Sequence, residues 1–560
     1  MKQSFGSPQT PQVGVSSPIP GVVYPPLQVL QEYLAAGILD YETFPNLLRS
    51  TFQKHGLRKA LVGPQGDVTY SELDSITERL AAAFLELGLR PLDRVVFQLP
   101  NSHELVFCFL ACLKAGLVPV CTIAAYREQE IGYLSRHTSA RAHIVLGTDP
   151  KFDDVHFAEE MQKSATTLKY IIQARGAARG TAVTLDALLG QMSLDRAKHI
   201  TLSLEHDPFQ VAVFQLSGGT TGIPKVIPRF HNEYIYNMRA VASWNRYTPE
   251  DVLFFPTPMM HNFNMVCGFG PMLLVGGAVA ISPDIRPKTM IGMLRKYKPT
   301  WAALPGPVAT KIAWLRRFRI ISFKRAKGLV SMSDASKVSR LMKAPAYHVF
   351  GMTEGVIMFT KEGDPQIVLD SSLGQPVSPF DRVRLLKPGT EEDVPTGDVG
   401  ESAFKGPYTI HGYFDAPERN KETFTHDGYY RSGDLMRELV VGGKSYYIFV
   451  GRIKNVVDRA GEKINCEEIE QALLLHPSIA EVAVVGVPDS QYGEKACAFI
   501  VSNPLKKAPS VAQIGSFLKE YGIAKYKWPE YVQGVTDLPV TKLGKLDRTA
   551  LKHAFTKHSP

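Results

Sequence analysis

A compact loop with three glycines, three hydroxyls and one lysine is the strongest chemical feature of the sequence. It reads Ser217-Gly-Gly-Thr-Thr-Gly-Ile-Pro-Lys225 and follows the apolar stretch 211–216, whose β-branched residues predict a strand. Glycines let backbone N–H groups approach phosphate oxygens, the hydroxyls donate further hydrogen bonds, and the lysine adds a positive charge. The loop therefore indicates a polyphosphate site. Its spacing excludes a Walker loop, and its position after a strand argues against a flexible linker.

Further motifs follow this loop in order along most of the 560 residues. They are Phe350-Gly-Met-Thr-Glu-Gly355, Gly397-Asp-Val-Gly400, Gly412-Tyr-Phe414, Tyr430-Arg-Ser-Gly-Asp-Leu435, Gly451-Arg-Ile-Lys454, Gly461-Glu-Lys-Ile464 and Pro539-Val-Thr-Lys-Leu-Gly-Lys545. Together with the loop they resemble the signature of the adenylate-forming superfamily, which includes acyl-CoA synthetases, peptide-synthetase adenylation domains and luciferases. So many matches in one order make a chance resemblance implausible.

Three segments are most similar to the stand-alone aryl-acid ligases of that superfamily, namely Pro228-Arg-Phe-His231, Met260-His-Asn-Phe263 and Lys405-Gly-Pro-Tyr-Thr409. The resemblance implies ATP-dependent activation of salicylate or 2,3-dihydroxybenzoate to an aryl adenylate, followed by transfer to a thiol. One alternative is an acyl-CoA ligase for another aromatic or cyclic acid. Another is a non-catalytic acyl-AMP or nucleotide-binding protein, and a luciferase-like oxygenase is a weaker one.

The resemblance also implies a role for individual residues of the nucleotide site. Thr220, Thr221 and Lys225 are expected to contact the β- and γ-phosphates, and Glu354 with Thr220 to hold Mg²⁺. Asp434 is expected to bind the ribose hydroxyls. The remaining expected ATP or AMP contacts are Ser217, Gly218, Gly219, Gly222, Gly351, Met352, Thr353 and Arg452.

Lys545 lies near the C-terminus in a Gly-Lys pair, which by composition alone is typical of an exposed tail. The resemblance instead implies a catalytic lysine that bridges the substrate carboxylate and the α-phosphate. So distant a residue can act only if a small domain closes over a large one. The resemblance places the hinge at Lys454, and the loop at Gly461 is expected to face the thiol in the second half-reaction.

The resemblance places the aryl acid beside His261, Asn262, Phe263 and Cys267. If this segment is helical, Phe263 and Cys267 share one face at i, i+4. Asn262 is then expected at the ortho-hydroxyl side and Phe263 against the ring. Cys267 occupies the position where dihydroxybenzoate-activating relatives tend to have serine. The alternative is a packed helix start, with Cys267 a small core residue; Asn262 and Asn264, which need hydrogen-bond partners, argue against it.

The sequence departs from the aryl-acid ligase pattern at two places. Val330-Ser-Met-Ser-Asp334 stands where a glycine-rich segment usually lies beside the adenine, and Asn455 replaces a more usual acid next to the hinge. Neither departure removes a charge that the chemistry requires.

The elements that position the candidate site residues include short β-branched runs between helical stretches. These runs lie at 94–99, 142–146, 211–216 and 277–281. This alternation predicts an α/β fold with largely parallel strands. We expect a proline-rich disordered tail over residues 1–25, a large domain of layered sheets and helices over 26–453, and a small mobile α+β domain over 454–560. In the small domain, helices are predicted near 467–475 and 514–521 and strands at 480–487 and 496–501.

The composition is that of an ordinary globular protein, with 44% hydrophobic and 21% charged residues. The net charge of +9 is dispersed, so no nucleic-acid partner is expected. No apolar run approaches the roughly 20 residues of a membrane span, so no membrane is expected either. The six cysteines lack CxxC spacing and are expected to be reduced core residues of a cytoplasmic protein. The expected acceptor is CoA, or a phosphopantetheinyl aryl carrier protein supplied in trans.

The first prediction concerns Cys267, because a thiol is a poor hydrogen-bond donor to a 3-hydroxyl. Salicylate should be preferred to 2,3-dihydroxybenzoate by a few-fold to about tenfold, the value of one neutral hydrogen bond. The variant Cys267→Ser should shift relative kcat/KM toward the dihydroxy acid, measured by pyrophosphate exchange. An unchanged ratio, or a wild type that prefers the dihydroxy acid, would leave Cys267 as a core residue.

Overall fold

The chain folds into two compact units, which a computed structural model describes at residues 13–217, 224–304, 312–313, 315–316, 320–332, 335–459, 462–489, 491–541 and 545–558. Residues 1–382 and 404–430 belong to the first unit. Residues 383–403 and 431–560 belong to the second. The predicted α/β architecture, with layered sheets in the larger unit, is confirmed.

Several α-helices of the first unit begin at capping side chains. Thr69 and Glu72 form such a cap, because the Thr69 hydroxyl accepts the Glu72 N–H and the Glu72 carboxylate accepts the Thr69 N–H. The helices in its described part are Leu27–Ala35, Phe44–Lys54, Tyr70–Glu86, His103–Lys114, Glu128–His137, Asp154–Ser164, Leu185–Gln191, Leu194–Leu202, His231–Trp244, Asn262–Asn264, Gly270–Val275, Pro287–Tyr297, Ala335–Met342, Gln366–Ser371 and Pro417–Thr423, with a π-helical turn at Met265–Phe269.

Two sheets form the layers between these helices. Their strands are β1 Lys59–Gly63, β2 Gly66–Thr69, β3 Arg94–Gln98, β4 Val118–Val120, β5 Ala142–Val145, β6 Tyr170–Gln173, β7 Val183–Thr184, β8 Val211–Ser217, β9 Lys225–Phe230, β10 Val252–Phe254, β11 Ala278–Ala280, β12 Trp301–Ala303, β13 Gly328–Ser331, β14 Ala346–Gly351, β15 Ile357–Phe359 and β16 Gln375–Pro376. Among the described residues the strand orders are β7-β6-β5-β3-β4-β8-β9 and β16-β15-β14-β13-β12-β10-β11-β1-β2.

The pairing is largely parallel, as predicted. Strands β3 to β8 of the first sheet all pair in parallel, and only β9 turns back against β8. The strands predicted at 94–99, 142–146, 211–216 and 277–281 are confirmed as β3, β5, β8 and β11. These strands are almost wholly buried, which explains their continuous apolar sequence.

The second unit contains a four-stranded sheet and a compact α+β module. The four-stranded sheet has the order β17-β18-β19-β20. The sheet of the α+β module has the order β22-β21-β24-β23, with β25 beside β24. The strands are β17 Arg382–Leu386, β18 Val399–Lys405, β19 Tyr430–Val441, β20 Lys444–Arg452, β21 Val456–Arg459, β22 Glu462–Asn465, β23 Ile479–Asp489, β24 Gly493–Ser502 and β25 Tyr531–Val535, and the α-helices are Cys466–Leu473, Val511–Glu520 and Arg548–His558. The helices and strands predicted here are confirmed.

The predicted boundary between residues 453 and 454 stays a prediction. A short 3₁₀ turn, Ile453–Asn455, follows β20 at this position. The Asn455 side-chain amide donates to Glu467 Oε1 at 2.6 Å, and Glu467 also pairs with Arg548 at 3.2 Å. Asn455 therefore binds an acid of the second unit.

The described part of the predicted N-terminal tail, residues 13–25, packs on the first unit. The Ser16 N–H and hydroxyl both donate to Asp207 Oδ2, and the Tyr24 hydroxyl donates to Gln210 Oε1 at 2.7 Å. Ile19 is buried. These contacts attach the segment to the start of β8, in contrast to the expected disorder; residues 1–12 lie outside the described residues.

All six cysteines are buried, in agreement with the expectation of core residues. The apolar helix His103–Lys114 contributes Cys108 and Cys112 to the large core of the first unit. Across the described ranges, no helix combines the length and apolarity that a membrane crossing requires.

Candidate functional site

Strands β8 and β9 form an antiparallel hairpin that brackets the glycine-rich loop. Ser217 and Lys225 lie opposite each other at its end. The hairpin therefore fixes both ends of the expected phosphate loop. The expected site residues Gly218, Gly219, Thr220, Thr221 and Gly222 lie outside the described residues.

A tyrosine links the lysine of this hairpin to the glutamate of the Phe350-to-Gly355 motif. Lys225 Nζ donates to the Tyr413 hydroxyl at 3.1 Å, and that hydroxyl donates to Glu354 Oε1 at 2.9 Å. The Tyr430 hydroxyl lies 3.2 Å from that of Tyr413. The fold thus brings together Lys225 and Glu354, which the sequence separates by more than a hundred residues.

Burial affects the charges in this cluster. It lowers the pKa of the Lys225 ammonium, and the nearby Glu354 carboxylate partly opposes that shift. Burial and the Glu354 charge both raise the pKa of Tyr413, so its phenol stays protonated. A neutral phenol therefore connects a cation and a carboxylate. Such a pair suits a ligand that carries both phosphate oxygens and a divalent cation.

The Gly351-to-Gly355 segment is a tight turn after β14, held by backbone contacts. The Gly355 N–H donates to Met352 O, and the Ile410 N–H donates to Glu354 O at 2.9 Å. A Cβ on Gly351 would lie 2.6 Å from Ile357 Cδ1, so a larger residue here would have to displace that side chain. The turn fixes the backbone of Glu354 beside Tyr413.

A buried arginine on β9 also binds this turn. Arg229 is fully buried; its Nη1 donates to Thr353 O at 2.7 Å and its Nη2 to Tyr408 O at 3.1 Å. Its Nε and Nη2 also form a bidentate pair with Glu233 at 3.0 and 2.7 Å. Although burial alone would lower the pKa of Arg229, the Glu233 carboxylate raises it, so the guanidinium stays charged.

The expected aryl-acid residues lie in one segment after β10. The His261 ring accepts the Phe263 N–H at 3.2 Å and starts the short helix. Asn262 Oδ1 accepts the Tyr234 hydroxyl at 2.7 Å, and Phe263 stacks on Phe255 with ring centroids 5.4 Å apart. The Tyr234 hydroxyl therefore holds the Asn262 side chain in place. The Phe263 side chain is half-buried.

Cys267 lies in a π-helical turn, not in the regular helix on which the i, i+4 prediction depended. The condition of a regular helix is therefore not met, and a shared face for Phe263 and Cys267 stays a prediction. The Cys267 side chain is fully buried in the large core, and the Tyr247 hydroxyl donates to its carbonyl at 3.0 Å. Its role in specificity stays a prediction.

Asn264 also differs from the expectation. Its side-chain amide donates to Phe255 O at 3.1 Å and to Thr257 O at 2.9 Å. The backbone therefore satisfies this amide, and Asn264 needs no substrate hydroxyl.

In the second unit, Asp434 and Arg452 face each other across β19 and β20. Arg452 Nε lies 2.7 Å from Asp434 Oδ1, and Asp434 is 3% exposed. Gly433 precedes it with φ +71°, a left-handed conformation that favours glycine. The arrangement presents a carboxylate, which can accept hydrogen bonds from a vicinal diol.

The remaining expected residues lie in the second unit, and the segment at 330–334 lies in the first. Lys454 lies in the exposed 3₁₀ turn after Arg452. Lys545 is exposed just before the last helix, and its carbonyl accepts the Thr541 N–H at 2.7 Å. The segment at 330–334, which differs from the glycine-rich pattern of the aryl-acid ligases, includes Ser331 at the end of β13 and an exposed Met332. Gly461, Ser333 and Asp334 lie outside the described residues.

Sequence reasoning quoted the motifs that contain Tyr413 and Arg229 but assigned these residues no role, and it missed Tyr234. One signal was available for Arg229, since Glu233 follows it at i+4. The hydroxyl of Tyr413 gave no comparable signal, because its partners are distant in sequence.

Comparisons with known proteins identify the family of the chain. The family model described as AMP-binding enzyme matches residues 48–414, and the AMP-binding enzyme C-terminal domain matches residues 468–545. The chain is 34% identical to 2,3-dihydroxybenzoate-AMP ligase of Bacillus subtilis, over 95% of this chain and 97% of that protein. It is 32% identical to salicyl-AMP ligase / salicyl-S-ArCP synthetase of Mycobacterium tuberculosis, over 98% and 96%.

A solved structure is similar throughout. Apo MbtA from Mycobacterium smegmatis matches with a TM-score of 0.71 at 32% identity, covering 95% of this chain and 98% of that one. The fold and site thus define an adenylate-forming ligase. The chain belongs to the AMP-binding enzyme family, which confirms the resemblance found in the motifs.

The second prediction concerns the Tyr413 hydroxyl. In Tyr413→Phe, Lys225 and Glu354 lose the phenol that connects them, and hydrogen bonds to charged groups are worth roughly tenfold or more each. We expect kcat/KM for ATP to fall at least about tenfold, measured by pyrophosphate exchange.

Tyr70→Phe is the matched control for this variant. Tyr70 is also fully buried, but its hydroxyl donates to the backbone carbonyl of Gly277. It should leave the KM for ATP unchanged. Equal effects of the two substitutions on ATP kinetics would contradict the assignment of Tyr413 to the nucleotide site.

Proposed function

We propose that this protein activates an aryl carboxylic acid of the salicylate or 2,3-dihydroxybenzoate type with ATP, and then transfers the aryl group to a thiol. In the first step a carboxylate oxygen bonds to the α-phosphorus of ATP. The bond from that phosphorus to the β-phosphate oxygen breaks, and pyrophosphate leaves. In the second step a thiol sulfur attacks the acyl carbon, the thiol proton is lost, and AMP leaves.

The observation that carries the proposal is the Lys225, Tyr413 and Glu354 cluster at the end of the glycine-rich hairpin. The chemistry needs no general base, since a carboxylic acid with a pKa of about 4 is ionised at neutral pH. It needs charge compensation instead, because two anions must meet. Lys225 supplies a cation at the place where the phosphates are expected.

Glu354 fits a magnesium site, because its carboxylate provides the hard oxygen ligand that Mg²⁺ prefers. With Thr220 it would hold the ion, which when bound neutralises charge on the phosphates. Tyr413 orients the Glu354 side chain through Oε1. Ser217, Gly218, Gly219, Thr221 and Gly222 complete the proposed phosphate loop.

Asp434 is the proposed acceptor for the ribose hydroxyls, with Arg452 holding its carboxylate in place. Gly351, Met352 and Thr353 are proposed to contact the adenosine moiety. For the aryl acid we propose His261, Asn262, Phe263 and Cys267. The names of relatives such as the dihydroxybenzoate and salicyl ligases support this substrate class.

The thiol acceptor is proposed to be either CoA or a phosphopantetheinyl aryl carrier protein. The mycobacterial relative is named a salicyl-S-ArCP synthetase, that is, a synthetase of an aryl-carrier-protein thioester, which favours the second. Lys454 is proposed as the hinge and Gly461 as part of the loop that meets the thiol. We further propose that the protein acts in the cytoplasm.

Pyrophosphate exchange with a panel of aryl acids tests the function. Salicylate or 2,3-dihydroxybenzoate should support ATP-pyrophosphate exchange well above a no-acid control. Exchange with neither acid would contradict an aryl-acid ligase, and binding of ATP without any exchange would favour a non-catalytic nucleotide-binding protein. Thioester formation with free CoA, and separately with a carrier protein, then identifies the acceptor.

The third prediction concerns Lys545. Lys545→Ala should reduce adenylate formation by at least about a hundredfold, because it removes the cation proposed to stabilise transition-state charge. It should spare thioester formation from a supplied aryl adenylate. The two half-reactions are measured separately, by pyrophosphate exchange and by thioester yield.

Lys519→Ala is the control, since Lys519 is also an exposed lysine of the second unit. It should leave both half-reactions intact. If Lys545→Ala weakens both half-reactions equally, then the lysine does not act in adenylation alone and the proposed division of roles is wrong.

A further inference from the structure

A directed chain of hydrogen bonds ends at the side chain of Asn262. Gln215 Nε2 donates to the Tyr234 hydroxyl at 3.1 Å, and that hydroxyl donates to Asn262 Oδ1 at 2.7 Å. All three side chains are buried, with Tyr234 fully so. The chain starts on β8, directly before the phosphate loop, and passes through the helix His231–Trp244.

A buried cation lies beside the middle of this chain of hydrogen bonds. The guanidinium of Arg229 lies over the Tyr234 ring, 4.7 Å from its centroid. A cation near a phenol strengthens its O–H as a donor. Burial nevertheless raises the pKa of Tyr234 well above its ordinary value, so the proton remains on the hydroxyl. Tyr234 is therefore a neutral donor to Asn262 Oδ1.

The consequence lies at Asn262. An amide that accepts through its oxygen is held with its NH₂ group on the other side, as a donor. In a 2-hydroxybenzoate the hydroxyl proton is directed to its own carboxylate, so the hydroxyl oxygen is left as an acceptor. An ortho-amino group has no such free acceptor and presents N–H instead.

We propose that Tyr234 is a positioning residue that fixes the direction of the Asn262 amide, so that the site selects an ortho acceptor over an ortho donor. The inference rests on the proposed function and deepens it. Tyr234 touches no substrate in this account and acts only through Asn262. The helix His231–Trp244 also carries Glu233, which pairs with Arg229, and Arg229 binds Thr353 O. The helix therefore also helps to position the turn at residues 351–355.

The fourth prediction uses Tyr234→Phe, which keeps the ring over Arg229 and removes only the hydroxyl. The Asn262 amide then loses the donor that fixes its direction. The ratio of kcat/KM for 2-hydroxybenzoate to that for 2-aminobenzoate should fall by about tenfold, the value of one or two neutral hydrogen bonds. The KM for ATP should stay unchanged.

The ratio is measured by pyrophosphate exchange with both acids on the same preparation, so a smaller folded fraction cancels. Tyr236→Phe is the matched control: it lies on the same helix, but its hydroxyl meets Ser378 at 2.8 Å. It should leave the ratio unchanged. In an Asn262→Ala background, Tyr234→Phe should have no further effect on the ratio.

An unchanged ratio in Tyr234→Phe, or an equal further fall in the Asn262→Ala background, would overturn the positioning role. An equal loss for both acids and for benzoate would do the same, since it would indicate a general structural effect. If the wild type exchanges with no aryl acid, the proposed function fails and this inference falls with it. Exchange by the wild type with an unaltered variant ratio overturns only the role of Tyr234.

Discussion

The buried guanidinium of Arg229 is the interaction on which the rest of the site depends. Removing a cation from water is costly unless every donor is used and an opposite charge is near. Arg229 has its opposite charge in Glu233, and each of its three guanidinium nitrogens donates, to Glu233 or to the carbonyls of Thr353 and Tyr408. Satisfying this one charge requires β9, the following helix and two distant turns to meet in a single arrangement.

That arrangement places the reactive groups as a consequence. Arg229 lies on the strand that begins at Lys225, and it binds the carbonyl of Thr353. Glu354 follows Thr353 in the chain, so it is connected to Lys225 through the Tyr413 hydroxyl. The helix after β9 carries Tyr234 to Asn262. The ion pair of Arg229 and Glu233 therefore helps to set the geometry of the turn at residues 351–355 and of the proposed aryl site.

The sequence was sufficient for the family, the α/β fold and four strands of the first unit, β3, β5, β8 and β11. Buried parallel strands produce continuous apolar runs, and the glycine-rich loop has a composition that few other structures need. The residues that join the motifs were not predictable in this way. Arg229 meets Thr353 across 124 positions and Tyr408 across 179, and no local pattern records such a contact.

The turn around Cys267 shows the same limit at short range. The sequence left the helical state of this segment as a condition, and the structure has a π-helical turn there, in which the Cys267 carbonyl accepts a hydrogen bond from Tyr247. The N-terminal segment is another case, since its prolines are typical of disorder, yet Ser16 and Tyr24 bind side chains next to β8. Tertiary hydrogen bonds decided both outcomes.

The central claim is that the carboxylate of an aryl acid attacks the α-phosphorus of ATP. The most direct test is to supply the acid with ¹⁸O in its carboxylate, complete the transfer to a thiol, and analyse the products by mass spectrometry. One ¹⁸O atom is expected in AMP and none in pyrophosphate. Label in inorganic phosphate together with ADP, which an acyl phosphate would give, would contradict it.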